Sequence, residues 1–283
     1  MVHIITDSAA DFEPGELTEL NITCIPSIVM FGVREYRENI NLSKEQFYEL
    51  LTTDSEFPRT AQPSPAEYEQ LLENFRDQGD EAVFITLSSA FSGLYQNVML
   101  MKETLRYENC HVVDSLTVAG GQRIMVEQAV RLRDEGRSAG EIASELEKLR
   151  GRIEVYACLG TLEYVYRGGR ISRTAYALGT ISNVKPVVHV TSGGQAEIAA
   201  KMLGMSRGIN YMKSRLLHRE PDLSYPIYVM YTCDRENAEA LARSIKKAGF
   251  DIPDEQIINV GATIGSHVGI NGCGLVYVAK NNS

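Results

Sequence analysis

Short apolar, β-branched runs alternate along the chain with longer stretches whose apolar residues recur at helical spacing. In the first half the short runs cover residues 2–6, 22–30, 82–87 and 111–113. Residues 43–51, 66–76, 94–105 and 118–134 carry the helical pattern. Strands separated by helix-length segments predict an α/β sheet made of crossover units. Phe31-Gly32-Val33-Arg34 reads as a hairpin tip, which predicts an antiparallel edge on that sheet. Ser138 and Glu141 form a capping-box pattern that starts a helix running to about residue 150.

The pattern restarts near Gly151. Residues 153–159 predict a strand, and 187–190 with 196–202 a hairpin turning at Gly193-Gly194. A helix over 206–217, a strand over 227–232 and a helix over 238–247 follow, with Asp234 capping the last. Strands at 257–260 and 275–279 end the series. The expected organisation is an N-terminal α/β domain, residues 1–150, and a C-terminal α/β domain, residues 151–283.

Composition narrows the partners. Asp and Glu number 37 against 28 Lys and Arg, a net charge of −9, so the chain as a whole lacks the basic footprint that phosphate backbones or anionic lipid surfaces demand. The five cysteines are widely spaced with no C-x-x-C pair, which speaks against a zinc knuckle or a dithiol redox centre. Reduced thiols in a cytoplasmic protein are the expectation. No apolar run approaches the ~20 residues of a membrane span, and the five histidines show no metal-ligand spacing.

Several predicted strands end in small polar clusters, where open α/β sheets bind ligands. Asp7, Asp114 and Asp234 read as caps. Ser88-Ser89-Ala90-Phe91-Ser92-Gly93 lies between a strand and a helix, a natural cradle for an anion or carboxylate. Ser92 is the expected N-cap there, and Gly93 admits close approach of a ligand to the backbone. Neither a Walker loop nor a G-x-S-x-G elbow is present. Pro58, Pro63 and Pro65 predict a rigid extended loop in which Ser64 precedes a helix and Thr60 is free to face a cleft. His267, between Gly265 and Gly269, reads equally as a surface turn or a site residue. Gly168-Gly169 predicts a helix end, with Ser172 starting the next helix and Arg170 between the two turns, placed to face a cleft.

Taken together these strings resemble the DegV family, bacterial fatty-acid-binding proteins that act as carrier subunits of fatty acid kinase. The matching residues are Thr6-Asp7-Ser8, Thr60-Ala61-Gln62-Pro63-Ser64, Ser88 to Gln96, Val113-Asp114-Ser115, Leu162 to Ser172, Val184-Lys185-Pro186 and Gly265 to Gly269, in family order. The resemblance implies two α/β domains, the first a mostly parallel sheet with helices on both faces. It implies a long-chain fatty acid, palmitate or a similar acyl chain, bound between them. It implies that Thr60, Ser92, the Gly93 backbone and His267 hold the carboxylate, with Ser89 and Arg170 as further site or partner contacts. Ala61 stands where the family usually has Ser, Leu94 where Thr is common, and the H-x-G-P-G string lacks its proline here. No catalytic residue, cofactor or metal is implied. A separate kinase subunit would phosphorylate the carboxylate to acyl phosphate for phospholipid synthesis. Two alternatives remain open at the level of sequence: a serine hydrolase using Ser92 and His267, and a lipid-responsive sensor.

Overall fold

The computed structural model describes residues 1–172 and 184–281. Its first half runs β1 (Val2–Asp7), α1 (Pro14–Glu19), β2 (Ile22–Ile25), β3 (Ile28–Phe31), β4 (Arg34–Arg37), α2 (Lys44–Thr53) and β5 (Pro58–Ala61). It continues through α3 (Pro65–Asp77), β6 (Glu81–Thr86), α4 (Leu94–Leu105), β7 (Cys110–Asp114), α5 (Gly120–Asp134) and α6 (Ala139–Arg150). Strands β2-β1-β6-β7 form a parallel sheet. Helices cover both of its faces, which is why Val83, Phe84 and Ile85 are all buried and β6 reads as a continuous apolar run. On one face Ile5, Phe84 and Cys110 pack with Tyr68 and Leu72 of α3 and Val98 of α4. On the other, Ile4, Val83 and Val113 pack with α5 and α6.

The second half runs β8 (Ile153–Cys158), α7 (Glu163–Arg167), β9 (Val184–Val190), β10 (Ala196–Leu203), α8 (Met205–His218) and β11 (Tyr228–Tyr231). Helix α9 (Glu236–Lys246), β12 (Ile257–Asn259), α10 (Ala262–Val268) and β13 (Cys273–Val278) follow. The six strands order as β10-β9-β8-β13-β11-β12, antiparallel except for the last pair. Helices α8 and α9 cover the outer face, with Met212, Leu216, Leu241 and Ile245 against Tyr156, Leu275 and Tyr277. The inner face turns toward α5, and Val155 and Val276 share one core with Ile124 and Met125. Helix α5 is thus packed between the two large sheets. A Cβ at Gly121 would overlap Thr117 Oγ1 and reach Val155 Cγ2 at 3.0 Å. Gly121→Ala is therefore expected to cost about 1–3 kcal/mol, read as a lower urea midpoint at unchanged slope.

Three local expectations are corrected. The run over 22–30 is two strands, because Pro26 has no N–H to give a ladder. Strand β2 joins the parallel sheet, while β3 turns away into another. The Phe31–Arg34 hairpin is real, but it forms a separate three-stranded sheet β4-β3-β5 rather than an edge of the parallel one. The proline-rich stretch is not all loop: Pro58–Ala61 pairs antiparallel with β3, placing Thr60 opposite Val29. The helix expected to start at Ser172 lies outside the described residues.

Candidate functional site

The site forms where four separate stretches of chain meet. Helix α10 comes from the far end of the sequence, yet it packs on α2, β3, β5 and α7. Its first turn is anchored by buried acids from the first half. Asp11 Oδ1 accepts from Gly261 N at 2.8 Å, Glu38 Oε2 accepts from Thr263 N at 3.2 Å, and the Thr263 hydroxyl also donates to Glu38. Burial pushes the Asp11 carboxyl up to about 7; Lys44 pulls it back and Glu38 adds to the rise. Burial likewise raises Glu38, and it lifts Asp7 to about 6.

At the other end of α10, His267 meets Thr60 of β5. The Thr60 Oγ1 to His267 Nε2 distance is 2.8 Å. Burial, helped by the nearby charge of Arg170, lowers the His267 pKa to about 4, so the ring is neutral at pH 7. The other ring nitrogen, Nδ1, is buried with no hydrogen-bond partner among the described residues. It lies over Gly168, where a Cβ would overlap it. A buried orphan N–H is costlier than an orphan lone pair, which puts the single proton on Nε2. Nε2–H then donates to Thr60, and the Thr60 hydroxyl keeps its own proton to donate elsewhere.

The Ser88–Gly93 loop completes this end. Ser88 Oγ donates to Gly194 O at 2.9 Å, tying the loop to the β9–β10 hairpin, and Asp114 Oδ1 accepts from Ser89 N at 3.0 Å. The N-cap of α4 is Gly93, one residue later than the sequence suggested, and the Ser92 hydroxyl accepts from Leu94 N at 3.3 Å. A Cβ on Gly93 would come within 2.9 Å of Gln62 Nε2, so only glycine leaves that amide in place. Arg170 crosses from the α7 side. Its Nε and Nη2 donate to Phe91 O at 3.1 and 2.9 Å, and its Nη1 donates to Gly168 O. No carboxylate among the described residues pairs with it, and burial lowers its pKa.

Thr60, Ser89, Ser92, Gly93, Arg170 and His267 all line one cavity of about 490 Å³ between the two large sheets. Much of the wall is apolar and includes Val155, Ala157, Val188, Val190 and Met230 of the mixed sheet, while Ser27, Thr232 and Thr263 line it elsewhere. From Leu159 to Val155, both on the lining, the strand descends roughly 13 Å. The size suits a single small-molecule ligand. Among the described residues no group of three His, Cys, Asp or Glu is placed to hold a metal, and no helix is long and apolar enough to cross a membrane.

All six candidate residues thus come together. The hydroxyl that meets His267 is that of Thr60, not that of Ser92 as the hydrolase alternative would require. Gly168 and Gln62 were missed as site residues. Gly168 was legible only as a helix end, since the ring that needs its missing side chain lies 99 positions away.

A largely apolar cavity between the two large sheets thus carries a hydroxyl, an imidazole and a guanidinium on its lining. The chain belongs to the DegV family: the model described as "Uncharacterised protein, DegV family" matches residues 1–280. It is 31% identical over 272 residues to the DegV domain-containing protein YqaC of Lactococcus lactis, covering 95% of each chain. Among solved structures, "Fatty Acid Binding of a DegV family Protein from Thermus thermophilus" matches at TM-score 0.86 and 26% identity, over 99% of each chain. "DegV, a fatty acid binding protein from Bacillus subtilis" matches at TM-score 0.84, also at 26% identity and 99% of each chain.

Proposed function

We propose that this protein binds a long-chain fatty acid in the cavity between its residue 1–150 and residue 151–283 domains. It then presents the carboxylate to a separate ATP-dependent fatty acid kinase, which forms acyl phosphate for phospholipid synthesis. In this reading it is a cytoplasmic carrier with no catalytic residue or cofactor of its own. Thr60, Ser92 and the Gly93 N–H donate to the carboxylate, His267 orients Thr60, Arg170 supplies compensating charge, and Ser89 lies at the rim. The observation that carries the reading is the largely apolar cavity on which Thr60, Ser92, Gly93, Arg170 and His267 converge. The fatty acid binding of the two proteins at 26% identity supports it.

The energetics divide in the same way. Each buried methylene contributes ~0.8 kcal/mol, so about fourteen give ~11 kcal/mol at most. Desolvating the carboxylate costs several kcal/mol, and charge-assisted hydrogen bonds return ~1.5–3 kcal/mol each. The tail supplies affinity, while the head end sets orientation and rejects molecules without an acid group. Organic extraction of the purified protein followed by mass spectrometry should release a long-chain acid. Thr60→Ala and Ser92→Ala should each weaken rebinding about tenfold or more. An empty extract together with no uptake of added fatty acid would end the proposal.

A further inference from the structure

The register of the mixed sheet lines up four residues across neighbouring strands. Ala157 of β8 faces Val188 of β9 on one side and Gly274 of β13 on the other, and Gly274 faces Met230 of β11. All four line the cavity. The two smallest side chains are adjacent, so the row is hollow in its middle and bounded by Val188 and Met230. Met230 is buried at 4% exposure, and its position depends on two glycines. A Cβ at Gly274 would meet Met230 Cε at 2.6 Å, and one at Gly120 would lie 3.3 Å from its sulfur. The thioether therefore bridges two backbone positions that have no side chain of their own. With its unbranched, rotatable stem it can rest over Gly274 and narrow the hollow, or draw back toward Gly120 and widen it.

We propose that Met230 is the adjustable wall of the acyl-chain slot and sets the length of chain the protein accepts; this rests on the fatty-acid reading above. Interiors are close-packed, so a chain too short leaves a void and one too long forces overlap, and both lower affinity. Met230 can move to meet intermediate lengths, whereas Val155, one row deeper on β8, is stiff at χ1.

The test loads the full chain with an equimolar mixture of straight saturated acids from lauric to behenic and reads the retained lengths by native mass spectrometry. Met230→Ala removes three heavy atoms from the wall, and its preferred chain should lengthen by about two carbons. Met230→Val should shift the same way by less, and its β-branched side chain suits a strand should the alanine variant fail to fold. Met212→Ala opens a comparable hole on the outer face of the same sheet, where Met212 is fully buried, and should leave the profile unchanged. Wild-type profiles in both Met230 variants, or an equal shift in Met212→Ala, would overturn the assignment. A wild-type protein that retains no acid at all would overturn the fatty-acid reading with it.

Discussion

A methyl group added at Gly168 is expected to cut fatty acid affinity about a hundredfold while the protein stays folded. Gly168 has ordinary right-handed backbone angles, φ −73° and ψ −9°, so alanine fits the chain at that point. What it does not fit is the imidazole, because the new Cβ would overlap Nδ1 of His267 and lie 2.9 Å from its Cε1. The ring must rotate away, which breaks the 2.8 Å contact with Thr60. Thr60 then loses the neighbour that fixes its hydroxyl as a donor. Losing one to two charge-assisted hydrogen bonds at ~1.5–3 kcal/mol each gives about a hundredfold loss. Titration with a fluorescent fatty acid reads the affinity, and a thermal scan checks the fold. Affinity within about threefold of wild type would show that His267 is not held by contact with Gly168.

The second large effect is on stability as a function of pH. Asp11 holds its proton to about 7 in the folded protein and Asp7 to about 6, against 3.8 for an unperturbed aspartate. Glu38 moves in the same direction. The folded state therefore binds more protons than the unfolded one above pH ~4, and stability falls as pH rises until Asp7 and then Asp11 have ionised, the latter near 7. His267 works in the opposite direction. The unfolded ring takes a proton near 6.5 and the folded ring only near 4, so stability falls as pH drops through that window. The raised carboxyls, with Glu127 added to these three, outweigh the lowered imidazoles of His267 and His111, and the melting temperature should be higher at pH 5 than at pH 8 by roughly 5 °C or more. Asp11→Asn, which keeps an oxygen for the Gly261 amide, should shrink that difference. A melting temperature that is flat or rises from pH 5 to pH 8 would refute the buried-acid account.

Most of the secondary structure could be read from local pattern. Helix α4 occupies the 94–105 span that its spacing predicts, and Ser138 caps α6 through Glu141 N as the capping box requires. Pattern failed where strand identity depends on a distant partner. An apolar run cannot announce that β2 will pair with β1 while β3, three residues on, pairs with β5. The site followed the same rule. Ser92 and Gly93 stood out because strand, polar loop and helix are contiguous in sequence. The Thr60–His267 contact spans 207 positions and no local signal encodes it. The same holds for the acids beneath α10: Asp11 and Glu38 look like ordinary surface carboxylates until Gly261 and Thr263 arrive from more than two hundred residues away.

Helix α5 has a consequence of its own. Its flanks are shared, one against the parallel sheet and the other against Val155 and Val276 of the mixed sheet. Neither half owns a finished interior without it, so loosening either one strips the same helix of a wall. Melting should accordingly spread through the whole molecule as one event, and a bound tail beside the start of that helix would brace both halves at once.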